Sequence, residues 1–131
     1  MFTKLLLTLA AGLAVTTLAG AEELKVSIPF EFSVGRLVLP AGTYEIDTKV
    51  APGVLRVRST DWVNAALVIT HGVTERNRSE EAKIVFNRYG DTYFLSKVMY
   101  GGGIGRELQK TPREKEMAAN HVASVKLLAT K

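Results

Sequence analysis

The sequence predicts an all-β fold: an antiparallel β-sandwich or small barrel of seven to eight strands, with one short C-terminal helix. Three observations carry that reading. Apolar side chains recur at every second position from Leu24 to Val34, the period of a strand with one buried face. Turn-forming clusters then divide the chain into short alternating runs at intervals of roughly 8–12 residues, the spacing of small all-β domains. A well-formed helix start occurs at Thr111-Pro112, close to the C-terminus.

In the first run, Leu24, Val26, Ile28, Phe30, Phe32 and Val34 share one side, and Lys25, Ser27, Pro29, Glu31 and Ser33 share the other. Pro29 has no N–H to give to a ladder, so this run is expected at a sheet edge or with a bulge. Gly35-Arg36 turns the chain into a short extended stub at Leu37 and Leu39. Pro40-Ala41-Gly42 and Ala51-Pro52-Gly53 are turns in which Pro sets φ and Gly accepts positive φ. Between them Tyr44, Ile46 and Thr48 alternate along a strand.

The next strand places Leu55, Val57 and Ser59 on one face and Arg56 and Arg58 on the other. Residues 60–64 form a loop that holds Trp62, and 65–73 are apolar enough to pair back. The stretch 74–81 is charged and reads as a solvated connector.

A hairpin follows, with 83–89 and 92–100 flanking the tight turn Gly90-Asp91. Regular pairing sets Arg88 opposite Tyr93, Phe86 opposite Leu95 and Ile84 opposite Lys97. One face would then carry Val85, Tyr89, Phe94, Val98 and Tyr100. Both faces are apolar, so the hairpin is expected to be central and covered on its second side by the next element. Gly101 to Gly105 reads as a flexible loop. Thr111 is a good N-cap, Pro112 suits the first helical position, and Glu114 stands where a capping box needs an acid. The helix is expected to end near Ala119, with Asn120 closing it in the left-handed region. Residues 122–129 fit strand alternation and near-helical spacing alike, with the strand favoured.

Residues 1–21 read as a cleavable secretory leader: one positive charge at Lys4, an uncharged run from Leu5 to Leu18, and Ala19-Gly20-Ala21 as a small-residue cleavage site. The uncharged run is shorter than the roughly 20 residues a bilayer crossing requires. Residues 22–131 then form a single β domain, exported to a periplasm or the medium, with no transmembrane anchor after leader removal. The chain has no cysteine, so the core must hold the domain without disulfides. Its formal charge is +4 with the leader, a mild excess that is not a nucleic-acid signature.

Beyond the leader, the succession Ile28-Pro29-Phe30-Glu31-Phe32-Ser33-Val34-Gly35, Leu39-Pro40-Ala41-Gly42-Thr43-Tyr44, Phe86-Asn87-Arg88-Tyr89-Gly90-Asp91 and Gly105-Arg106-Glu107-Leu108 resembles an uncharacterised family of small, exported, β-rich bacterial proteins. The likeness spans most of the chain after residue 21. Its motifs are turns and alternating strands, so it implies export and fold. It implies no cofactor, and it carries no functional residues.

Motifs for chemistry are weak. The glycine run lacks the Gly-Lys-Ser/Thr of a phosphate loop, and Arg106 stands where a dinucleotide fingerprint needs a third glycine. A glycine turn beside Arg106 remains an option as an anion cradle. His71 and His121 lie outside any ligand-spaced cluster, so no metal site is expected. No catalytic residue is assigned: there is no G-x-S-x-G, and the acidic pairs Glu22-Glu23 and Glu80-Glu81 fall in polar segments where nothing raises a carboxyl pKa.

The binding candidates are Arg56, Arg58, Arg76, Arg78, Arg88 and Arg106, with Tyr89 or Tyr93 near them. The expected role is an envelope-associated binding or structural module without catalysis. Its partner would be an anionic envelope component or another exported protein, and no cofactor or nucleic acid is expected. The alternatives are a small-ligand carrier with a barrel cavity, and a hydrolase with a dispersed site.

Overall fold

The computed structural model describes residues 23–76, 81–121 and 123–129. The leader and Arg78 lie outside the described residues. The described residues form ten strands and one helix: β1 Glu23–Ile28, β2 Phe32–Val34, β3 Leu37–Leu39, β4 Gly42–Asp47, β5 Val54–Ser59, β6 Ala65–Thr74, β7 Lys83–Tyr89, β8 Thr92–Gly101, β9 Ile104–Leu108, α1 Pro112–Asn120 and β10 Ala123–Ala129. The fold is all-β with one short helix, as the alternation predicts. Two strands exceed the expected count. Pro29 splits the first run into β1 and β2, and Ile104–Leu108 is a strand rather than the tail of a glycine loop.

The strands form two sheets that share β6. The first runs β1-β4-β5-β6, all antiparallel. The second runs from β6 through β9, β8 and β7 to β10, also antiparallel. The β2-β3 hairpin joins β8 through a single parallel contact, Ser33 with Phe94, which makes the whole mixed. The sheet does not close into a barrel.

β6 pairs with β5 through Ile69 and with β9 from Thr70 onward, so the sheets separate at Thr70. Four hydrogen bonds converge there. The Thr70 N–H and hydroxyl donate to the Gly53 carbonyl at 2.8 and 3.1 Å. Arg106 Nε donates to the hydroxyl oxygen at 2.9 Å, and Arg106 Nη2 donates to the carbonyl at 2.8 Å.

The core lies between the sheets. Leu24, Val26 and Ile28 face Tyr44, Ile46, Leu55 and Val57 of their own sheet and Phe32, Ile84, Phe86, Leu95 and Val98 of the other. Rings span the gap. Phe32 meets Tyr44 edge-on at 5.1 Å and Phe86 at 5.7 Å, and Phe30 stacks on Tyr93 at 3.8 Å. Such pairs add about 0.5–1.5 kcal/mol each beyond area burial.

The central hairpin corrects the regular register. Arg88 pairs with Tyr93 and Phe86 with Leu95, but Ile84 pairs with Val98 and Val85 with Lys97, so Ser96 is the extra residue of a bulge. Regular pairing would aim the Lys97 ammonium into the core beside Ile84, where an unpaired charge is costly. The bulge turns Lys97 outward to Glu75, at 3.4 Å, and brings Val98 inward.

The outer face of β7 and β8 keeps Val85, Tyr89, Phe94 and Met99 buried. α1 covers this face, as expected. Thr111 caps it by accepting from the Glu114 N–H at 3.2 Å. The Glu114 side chain does not complete a capping box. It is 4% exposed and accepts from the Tyr89 hydroxyl at 2.9 Å and the Asn87 amide at 3.0 Å. Arg113 reaches Ser33 at 3.2 Å and lies over Phe94. The helix includes Asn120 and ends at His121 in extended backbone, not in the left-handed region. β10 then pairs with β7, which settles 123–129 as a strand.

The Tyr89 phenol is pushed up to about 12, first by burial and then by the hydrogen bond and charge of Glu114. The fold therefore favours the neutral phenol. That contribution is complete below the ordinary tyrosine value and is lost as pH rises through the folded value. Stability should fall between about pH 10 and pH 12, with a shallower fall in Tyr89→Phe. Glu114→Ala leaves the buried Tyr89 hydroxyl and the half-buried Asn87 amide without their acceptor and should lower the unfolding free energy by about 2–3 kcal/mol in urea denaturation.

Candidate binding face and the arginine positions

The outer face of the first sheet is built by strand parity. Leu55, Val57 and Ser59 turn inward, so Arg56 and Arg58 turn outward with Glu45 and Asp47 of β4 directly across. Asp47 receives Arg56 Nε at 3.1 Å and Nη2 at 2.6 Å, a two-pronged pair. Glu45 receives Arg58 Nη2, and Arg58 Nη1 donates to its neighbour's carbonyl, on Ser59. Arg58 is buried, and among the described residues its Nε lacks a hydrogen-bond partner. Trp62 covers it: the guanidinium carbon lies 3.7 Å from the indole centroid.

Trp62 is held in the left-handed region at φ 67°, a conformation that disfavours a bulky side chain. A small network imposes it. Asp61 Oδ1 accepts from the Ser59 hydroxyl at 2.6 Å and the Val63 N–H at 3.0 Å. Ser59 Oγ in turn accepts from the Asn64 N–H at 2.9 Å, and the Trp62 N–H donates to the Ser59 carbonyl at 3.0 Å. The loop is thereby fixed with one indole face on Arg58, while Trp62 as a whole is 74% exposed.

Beside it, β6 turns Ala66 and Thr70 inward and Leu67 and Ile69 outward, leaving the latter two 61% and 78% exposed. Leu67 lies across from Arg56, and Ala65 across from Arg58. The outer face therefore changes from paired charges on β4 and β5 to an apolar strip on β6 and the Trp62 loop. The sequence reading missed this strip because both parities of 65–70 are largely apolar, and alternation alone does not show which turns outward.

The remaining arginines are dispersed. Arg88 donates to the Gly90 carbonyl at 2.7 Å, stands 3.9 Å from Asp91 and lies over Tyr93. Arg76 is exposed beside the Gly102-Gly103 turn, in an open groove of about 560 Å³. Arg106 is bound to Thr70 and faces Gly53 and Gly72, away from the glycine turn. The five described positions thus do not form one basic patch. Gly101, Gly102 and Gly103 all have positive φ and make the tight connection from β8 to β9.

His71 stands 3.4 Å from Glu107, and His121 Nδ1 lies 3.2 Å from the Met117 carbonyl. Among the described residues no group of three or more His, Cys, Asp or Glu is placed to hold a metal, and no helix is long and apolar enough to cross a membrane. No protein-family model, curated protein or solved structure matches the chain.

Asp61 is held below its ordinary value, chiefly by the Ser59 hydroxyl and then by the Val63 N–H. Its contribution is present above the ordinary carboxylate value and is lost as pH falls through the lowered one. Emission from the single tryptophan should therefore stay flat while ordinary carboxylates titrate and change only at more acid pH. Asp61→Asn should abolish that acid step.

Proposed function

We propose that this chain is an exported, non-catalytic binding module of the cell envelope, and that it holds another exported protein against the Trp62–β6 face. The observation that carries the reading is Trp62 itself. An exposed indole held at positive φ by a dedicated network, beside Leu67 and Ile69, is a preformed apolar anchor. Interfaces draw most of their energy from such aromatic anchors ringed by polar groups, and the Arg56–Asp47 and Arg58–Glu45 pairs supply the ring.

A protein surface suits this face better than a polyanion. Arg56, Arg58 and Arg88 each already stand beside a carboxylate, so little uncompensated positive charge is offered there. The aliphatic side chains next to Trp62 require an apolar counterpart. Export rests on the leader at 1–21 and the family resemblance.

Recovery of the protein from the periplasm or medium, with Glu22 as its first residue, tests the export half. For the binding half, immobilised protein is exposed to envelope extract. The parent should capture one protein stoichiometrically, and adding that protein should shift the Trp62 emission to the blue. Leu67→Glu, on an exposed position, should weaken capture at least tenfold with unchanged thermal unfolding. Equal capture by parent and Leu67→Glu would remove this face from the function.

A further inference from the structure

A second site lies at the open end of the sandwich, on the opposite side of the sheet from the Trp62 strip. β9 pairs Arg106 with Gly72 of β6 and Val98 of β8. Residues directly across a ladder share a face, and Val98 is fully buried in the core. Arg106 therefore projects toward the interior, two residues from the equally inward Leu108. It sits where the two sheets diverge, in an open cleft of about 510 Å³ walled in part by Pro52, Val73, Tyr100 and Ile104.

The guanidinium is locked in plane by its two bonds to Thr70. Among the described residues no carboxylate stands within ion-pair distance of it. Nη1 makes no hydrogen bond there, and the space beside it is left open by glycine. A Cβ at Gly72 would lie 3.5 Å from Nη1, and one at Gly53 would lie 3.7 Å from Nη2. An oriented guanidinium with free donors at the mouth of an apolar interior matches a carboxylate or phosphate head. Clefts at the mouths of β-structures, apolar with one placed polar group, are common sites for small molecules. The apolar wall extends past the guanidinium to Ile104, which is 62% exposed.

We infer that this cleft binds a small amphiphilic carboxylate, with its head on Arg106 and its apolar body along Tyr100 and Ile104. A bare anion would leave the apolar wall uncovered, and an uncharged chain would leave the guanidinium unanswered. This site does not depend on the Trp62 face.

Calorimetric titration tests it with three probes: decanoate, decanol and inorganic phosphate. Decanoate should saturate with one site, and the other two should bind at least tenfold more weakly. Gly72→Val is compatible with strand geometry and places a side chain against Nη1, so it should weaken decanoate binding at least tenfold while the circular dichroism spectrum is kept. Arg106→Gln should do the same, and Gly72→Val decides the matter if Arg106→Gln unfolds. Leu67→Glu should leave decanoate binding unchanged. Absence of saturable decanoate binding, equal binding of decanol or phosphate, or parental affinity in Gly72→Val would overturn the assignment.

Discussion

The passage of β6 from one sheet to the other at Thr70 is the constraint on which the architecture depends. Up to Ile69 the strand belongs to the β1-β4-β5 layer, and from Thr70 it belongs to the layer of β9, β8 and β7. The two layers can enclose a shared core only if they diverge, and divergence strips polar backbone groups of their ladder partners. Thr70 answers this by gathering the Gly53 carbonyl and the Arg106 guanidinium onto one residue. The same divergence opens the cleft at the Arg106 end, while the straight half of β6 presents Leu67 and Ile69 to solvent.

Polar groups inside this fold are placed by register. Asp47 faces Arg56 and Glu45 faces Arg58 because β4 and β5 pair at those positions. Glu114 is buried because α1 must cover the second apolar face of the β7–β8 hairpin, and Tyr89 and Asn87 give its carboxylate two donors. Lys97 escapes burial through one extra residue, Ser96. In each case a charge near the interior is met by a partner or turned away, as the cost of burying it alone requires.

Most of the strands were legible in the sequence because local periodicity and turn chemistry determine them. Leu24, Val26 and Ile28 alternate and are buried, Gly90-Asp91 makes the hairpin, and Thr111 caps the helix. What escaped was non-local. The Ser96 bulge arises from a contest between regular pairing and the burial of Lys97, which appears only when β7 and β8 meet. β9 was hidden because Gly105 interrupts its pattern, although Arg106 and Leu108 keep the parity of a strand. The six arginines looked alike on the page. Burial under Trp62 distinguishes Arg58, and projection toward the core distinguishes Arg106. Neither distinction is a property of neighbouring residues in the chain.

The break at Pro29 bears on how molecules of this kind coexist at high concentration. β1 forms the outer margin of its sheet, with main-chain groups that another copy's strand could pair with. The run cannot extend as one straight ribbon, because proline interrupts it and directs β2 to the other layer. Exposed Lys25 adds charge along that margin. A short, charged, proline-ended border is a poor template for end-to-end accretion into fibres, so the domain can leave this side uncovered without inviting polymerisation.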